Sequence, residues 1–286
     1  MATGGSTTPR RFLSVTQPAV SGFHAKLHLK VEPGISFPAN KTTIFTPYCH
    51  QLMKKTIVVL SGAGISAESG ISTFRDSNGL WRNYRFEEVA SPEAWARDPA
   101  LVLEFYNMRR KQLFEVEPNA AHYALARLEA YYDVRIVTQN VDDLHERAGS
   151  TKVLHLHGEL KKSRSTADAS LIYELKHWEL KPGDTCEKGS QLRPHIVWFG
   201  EEVGEMFNAI QIVKKAGILI VVGTSLNVYP AAGLIHYAPR NCRKYLIDPV
   251  AEKAEQFHGL TVIREKAGTA LPGLAESLIS EATSSV

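Results

Sequence analysis

The chain has 286 residues, 44% hydrophobic and 22% charged, so there is core material to bury and global disorder is excluded. No run of about 18 apolar residues occurs, and no transmembrane helix is expected. The net charge of +3 sits wholly in residues 1–52, where Arg10, Arg11, Lys26, Lys30 and Lys41 oppose Glu32 alone; the remainder holds 28 basic and 29 acidic residues, too even a balance for a nucleic-acid groove.

Cys49, Cys186 and Cys242 are far apart, which argues against a disulfide framework and for a reducing, cytoplasmic setting. Residues 1–52 are rich in Ser, Thr, Pro and Gly, show no sustained period, and read as a disordered extension. Two other readings stand beside that one. The shortage of acid before Glu32 faintly resembles an organellar transit peptide, which would place the protein in the mitochondrial matrix. Alternatively Met53 is the true start, because Met53-Lys54-Lys55 runs straight into a strand and 53–286 then forms the working domain.

Thr56–Leu60 is a continuous β-branched and apolar run, as expected of a strand buried on both faces. Val134–Thr138, Val153–Leu156, Ile218–Val222, Tyr245–Ile247 and Thr261–Ile263 repeat that pattern. Helical periods fall between them, over Pro99–Phe114, Ala120–Tyr131, Met206–Ala216 and Leu274–Ile279. Alternating strand and helix predicts an α/β fold: a Rossmann-like, doubly wound parallel sheet. Residues 72–130 read as mostly helical without a strand, and 159–195 fit neither period. These insertions are expected to build a smaller second module, with strands suggested by the near-alternation of Leu171, Tyr173, Leu175, Trp178 and Leu180.

Three strand ends carry polar chemistry. Gly62-Ala63-Gly64-Ile65-Ser66-Ala67 follows the first strand as a G-x-G-x-x-A turn. Such a turn lets a pyrophosphate approach the backbone, although tight turns also use glycine for steric reasons alone. Thr138-Gln139-Asn140-Val141-Asp142 closes another strand, where ligands of open α/β sheets bind; helix capping would account for one of its polar residues, not three. In Leu154-His155-Leu156-His157-Gly158, alternation puts both histidines on one face. His157 is a candidate general base, against the commoner role of a hydrogen-bonded structural histidine.

Taken in order, Gly62–Ser66, Gly70-Ile71-Ser72-Thr73-Phe74-Arg75, Thr138–Asp142, His157-Gly158, Arg193–Glu201 and Val222-Gly223-Thr224-Ser225 resemble the sirtuins, NAD-dependent protein deacylases. Phe105-Tyr106-Asn107-Met108-Arg109-Arg110 further resembles the class III branch, which removes acidic acyl groups such as succinyl and malonyl. The resemblance implies acylated protein lysines as substrate, NAD as cofactor, and nicotinamide and O-acyl-ADP-ribose as products, with no nucleic-acid or membrane partner. It implies that Gly62, Ala63, Gly64, Ile65, Ser66, Phe74, Arg75 and Trp81 hold the pyrophosphate and cover the nicotinamide end. It places Gln139, Asn140, Val141 and Asp142 at the nicotinamide and ribose, has Gly223, Thr224 and Ser225 contact phosphate or ribose, and sets Asp248 beside the adenosine contact, with Ala267 also among the cofactor contacts. His157 would be the catalytic base. Val197, Trp198, Phe199, Gly200 and Glu201 would pair with the substrate backbone, although the apolar Val197-Trp198-Phe199 reads equally well as core.

Tyr106 and Arg109 would read an acyl carboxylate, since residues three apart share a helix face and a guanidinium forks a carboxylate. Arg110 is read as a surface neighbour whose loss does little. Several residues depart from the family pattern. Where two cysteine pairs would hold zinc, the chain offers Ser163, Ser165, Asp168 and Cys186, so zinc is expected to be absent. Ser72 replaces a usual proline, Asp248 a usual asparagine, and Phe86 stands where the acyl pocket is usually lined by something smaller. An NAD-dependent mono-ADP-ribosyltransferase and a non-catalytic NAD-binding module are the rival functions.

Overall fold

Ile57, Val58, Val59 and Leu60 are all buried, and they form the centre of strand β1 (Thr56–Ser61). In this computed structural model the described residues are 54–284, without 73–79, 82–83, 252–254, 256 and 258. The readings of 1–52 as an extension, and the placements of Phe74 and Arg75, therefore lie outside the described residues, as do the side chains of Trp81 and Phe86.

A short hairpin follows β1, with β2 (Leu80–Trp81) paired to β3 (Tyr84–Arg85). The sequence reading had no strand over 72–130; strands of two residues are too short to show a period. Helices α1 (Phe86–Val89), α2 (Pro92–Arg97), α3 (Pro99–Glu115) and α4 (Ala120–Leu128) come next. Asp98 caps α3 by accepting the Leu101 N–H, and Pro99 sits at its first position. α4 stops short of Tyr131, and Lys54 Nζ takes the Glu129 and Ala130 carbonyls at that end.

The chain then runs through β4 (Asp133–Thr138), α5 (Leu144–Arg147), β5 (Val153–His155), β6 (Gly158–Ser165), β7 (Ile172–Glu174) and β8 (Leu192–Ile196). It closes with α6 (Met206–Val213), β9 (Ile218–Val222), a 3-10 segment at Ala231–Tyr237, β10 (Arg243–Ile247), β11 (Leu260–Ile263) and α7 (Ala267–Ser284). α7 begins seven residues before its expected start at Leu274, because Pro272 and Gly273 mask its first turns in the sequence.

Six strands form one parallel sheet in the order β11-β10-β9-β1-β4-β5. Ile57 and Val59 face the core under α4 and α7, while Val58 and Leu60 face the core under α6 and the 3-10 segment. This is the doubly wound α/β architecture expected, and it explains why the strands read as unbroken apolar runs. From β1 the chain proceeds to β4 on one side and returns to β9 on the other. That reversal opens a crevice beyond the carboxyl end of β1. The smaller module is a three-stranded antiparallel sheet, β7-β6-β8, whose β6 and β8 share a core with α3 through Phe105, Tyr106, Leu160, Ile196 and Trp198.

Candidate active site

The floor of the crevice is a crossing of two turns. Gly64 N–H donates to the Gly223 carbonyl at 2.8 Å, and Gly62 N–H to the Val222 carbonyl at 3.0 Å. A Cβ on Gly223, whose φ is +64°, would lie 2.2 Å from Ile65 N; one on Gly64 would lie 2.7 Å from Gly223 Cα. The glycines therefore let the β1 and β9 turns interlock, which is a different task from admitting a pyrophosphate. No long helix follows: two 3-10 turns, Ala63–Ile65 and Ala67–Ser69, take its place, and the N–H groups of Ile65 and Ser66 are spent on Gly62 and Ala63. Ile65 and Ser66 are buried behind the turn.

Beyond β4, a second turn is pinned from several directions. Asn140 donates its backbone N–H to Thr138 Oγ1 at 3.0 Å and Nδ2–H to Ser66 Oγ at 3.1 Å. Ser66 in turn donates to Asp142 Oδ2 at 3.0 Å. Asp142 is buried, and burial raises its pKa against the opposing bonds from Leu144 N–H and Ser66. Gln139 reaches Thr224 Oγ1 at 3.3 Å, tying this turn to the one after β9.

β5 ends at His155, so His157 lies past the strand instead of alternating along it. Both rings still meet the same turn. His155 Nδ1 lies 2.9 Å from the Asn140 carbonyl and His157 Nδ1 lies 3.0 Å from the Gln139 carbonyl. A carbonyl can only accept, so each Nδ1 carries the proton. His155 Nε2 is taken by Glu146 at 2.8 Å; burial opposes its charge, but Glu146 raises its pKa overall. Burial lowers the pKa of His157, against the bond to Gln139, and leaves a neutral ring with a bare Nε2. Gly158, at φ +80°, is what allows the chain to turn there: a Cβ would sit 2.0 Å from the His195 carbonyl.

Two cavities meet at His157. A trough of about 580 Å³ is lined by Gly62, Ala63, Gly64, Gly223, Thr224 and Ser225, and farther along by Asp248 and Ala267. A narrower cleft of about 200 Å³ is lined by Val141 and Asp142, by Tyr106 and Arg109, and by Val197 through Glu201. Ala63, Gln139, Asn140 and His157 border both. Asp248 is buried, and its Oδ1 accepts the Val250 and Ala251 N–H groups at 3.0 and 2.9 Å, which makes it the cap of its own turn.

In the cleft, Tyr106 is buried and its pKa is pushed up to about 12 by burial, so the phenol keeps its proton. The Arg109 guanidinium sits 5.9 Å from the Tyr106 ring centroid and 5.7 Å from that of Phe105. Burial lowers its pKa to about 10, which still leaves it charged at neutral pH. Arg110 overturns its surface reading. It is fully buried and donates from Nε to the Leu160 carbonyl at 2.5 Å and from Nη1 to Asn107 Oδ1 and the Trp178 carbonyl at 2.8 and 2.7 Å. Asn107 also takes the Leu180 N–H and donates to its carbonyl, both at 2.9 Å. Adjacent arginines thus leave α3 in different directions, which no helical period distinguishes.

Residues 197–201 form a turn rather than a strand. Val197 N–H donates to the His157 carbonyl and Phe199 N–H to the Ala90 carbonyl, at 2.9 and 3.0 Å. Trp198 is buried beneath Arg193, 3.2 Å from its guanidinium carbon, whereas Phe199 is 41% exposed. Glu201 binds Arg193 at 2.7 and 3.1 Å, Arg164 at 3.2 Å and the Trp198 N–H at 2.8 Å. Burial works against its charge, yet these partners hold its pKa below the usual carboxylate value.

The expected zinc position is occupied by Ser163, Ser165, Asp168 and Cys186. Cys186 is the one thiol there, and its Sγ lies 3.3 Å from Ser165 Oγ. Among the described residues no group of three or more His, Cys, Asp or Glu could hold a metal ion. The turn is fastened by Lys188 to Asp168 at 2.7 Å and by the Tyr173 hydroxyl to Glu187.

The Sir2 family profile matches residues 62–230. The chain belongs to the Sir2 family. Among Sir2 relatives, an NAD-dependent protein deacylase of Bacteroides thetaiotaomicron is 54% identical over 230 residues, covering 79% of this chain and 98% of that protein. A Helicobacter pylori NAD-dependent protein deacylase is likewise 54% identical, over 80% of this chain and all of that protein. A Sir2 homologue solved as an NAD complex shares 40% identity and a TM-score of 0.72, over 80% of this chain and 91% of that one. A Sir2 complex with a p53 peptide and NAD+ shares 30% identity and a TM-score of 0.65, over 80% and 93%. Against this family background, the sequence reading gave no buried structural role to Ser61, Thr138 and His145 behind the site or to the clamps Asn107, Arg110 and Arg193. Their signal was faint: polar residues ending buried apolar strands, and an arginine on an otherwise apolar helix face.

Proposed function

We propose that this Sir2-family chain is an NAD-dependent protein-lysine deacylase with a preference for acyl groups that carry a carboxylate. The observation that carries this reading is His157, whose bare Nε2 stands where the two cavities meet. The trough fits NAD: Gly62, Gly64 and Gly223 let the two turns interlock to form its floor, and Thr224, Ser225 and Gln139 offer polar groups along it. When bound, NAD supplies a ribose that receives the acyl group as nicotinamide departs.

The chain's own part is orientation and proton handling. Asn140 and Asp142 hold a fixed polar corner beside the base. His157 takes a proton at Nε2 while the Gln139 carbonyl keeps the other nitrogen protonated. Its lowered pKa keeps it neutral, so the acid limb of activity should fall below the ordinary value of 6.5. Tyr106 donates, and Arg109 presents a charged guanidinium, to a carboxylate that enters the cleft they line. With one thiol at the expected metal position, the small module is read as folding without zinc.

The test is NAD-dependent turnover of matched acetyl-, malonyl- and succinyl-lysine peptides, followed by mass spectrometry. Malonyl or succinyl peptides should be consumed faster than acetyl, by about tenfold for one charge-assisted bond. Label from NAD left on protein, instead of on free acyl-ADP-ribose, would overturn the deacylase reading in favour of ADP-ribosyl transfer.

A further inference from the structure

Behind the Gln139–Asn140 turn runs a buried polar chain that the proposed chemistry does not use. Ser61 and Thr138 are register partners at the ends of β1 and β4, and both are fully buried. Ser61 Oγ–H donates to Thr138 Oγ1 at 2.9 Å, and Ser61 Oγ lies 2.9 Å from His145 Nε2. With the Ser61 proton directed at Thr138, His145 Nε2–H is the donor to Ser61. His145 is itself fully buried, its Nδ1 has no hydrogen-bond partner, and its ring meets that of His122 edge-on at 5.0 Å. Burial keeps both imidazoles neutral at pH 7.

Polar side chains held away from water weaken a core unless something is gained from them. Ile57–Leu60 of β1 and Val134, Ile136 and Val137 of β4 are buried and apolar, so the buried polar pair marks the two strand ends that meet the site. The chain delivers one fixed acceptor, Thr138 Oγ1, on which the Asn140 N–H is hung at 3.0 Å. On its carbonyl side the same turn is gripped by His155 and His157. A displacement of Thr138 Oγ1 therefore moves two things together: the Asn140 amide and the Gln139 carbonyl that sets the His157 tautomer.

The geometry points to His145, acting through Ser61 and Thr138, as a positioning residue for the base His157 and for Asn140. Its catalytic readout rests on the deacylase reading above; its structural readout does not. Thr138→Val keeps the side-chain shape and removes the hydroxyl, Thr138→Ser keeps the hydroxyl, and His145→Phe keeps a ring without the donor. Histidine-selective 1H–15N NMR of the intact chain should show His157 as the neutral Nδ1–H tautomer. Thr138→Val and His145→Phe should mix in the other tautomer and lower kcat about tenfold, the size of one lost hydrogen bond. Thr138→Ser should stay within about twofold of the parent.

Folded Thr138→Val with the parent tautomer and the parent kcat would overturn the proposal, leaving the chain a purely structural feature. An Nε2–H tautomer of His157 in the intact chain would overturn it without any variant. If His145→Phe does not fold, the Thr138 pair decides. If the intact chain binds NAD but turns over no acyl peptide, the deacylase reading fails while the tautomer still decides the positioning role.

Discussion

The parallel sheet and the small antiparallel module solve the same problem with different forces. Around β1 the sheet is apolar on both faces, and the buried imidazoles His122 and His145 packed there are neutral. The module is fastened by charge: Arg110 on three oxygens of α3 and the 160–178 region, Glu201 between Arg193 and Arg164, and Lys188 on Asp168. Burial scales with area and is insensitive to small displacements, whereas a buried arginine needs each acceptor in place. The candidate site lies on the seam: His157 is held by the turn after β4, and Tyr106 stands in the core that α3 shares with β6 and β8.

The largest effect should come at the seam itself. His157→Ala should lower kcat by about 10²–10⁴-fold while NAD binding, followed by calorimetry, changes little. A variant that retains parent turnover would make the ring structural and leave the seam without a base. Next, Arg110→Met should cost about 3 kcal/mol in denaturant unfolding, because the Leu160 and Trp178 carbonyls lose a charged donor. A loss below about 0.5 kcal/mol would return Arg110 to the surface role and weaken the contrast between the regions.

Acid should separate the regions by pH. His122 titrates near 4 in the folded chain against 6.5 unfolded, and His145 is shifted the same way. Their contribution is complete above pH 6.5 and is lost as pH falls toward 4, with His122 alone worth about 3 kcal/mol. Glu201 is depressed from 4.5, so its share is present above pH 4.5 and lost only below it. Amide-exchange protection should therefore fall first in β1, β4 and α4, as pH drops from 6.5 toward 4.5, and later in β6 and β8. Simultaneous loss would show that the two regions unfold as one.

Smaller still, Arg109→Met should reduce the preference for succinyl over acetyl by about tenfold in kcat/KM with little change in stability. Equal loss on both substrates would mean that Arg109 supports the fold instead of reading the acyl group. The smallest effect is expected at the turn around Cys186. Lys188→Ala exposes no core and should leave the thermal midpoint within error, as should addition of chelator. A drop in the midpoint with chelator would reveal a metal that Cys186 helps to hold.

Strand positions were legible in the sequence because a strand buried on both faces writes itself as an apolar run, as in Ile218–Val222. The strand-end motifs were legible too, since Gly62, Asn140 and His157 lie within short segments whose residue types limit the chemistry. What the sequence could not carry was direction. Arg109 and Arg110 are neighbours of one type, and only the packing of β6 and the 178–180 segment against α3 separates a cleft residue from a buried clamp. Gly223 is remote from Gly64 in the chain, so their interlock was invisible until β9 was laid beside β1. Ser61, Thr138 and His145 acquire meaning in the same way, because hydrogen bonds act over about 3 Å of space and carry no mark in the order of residues.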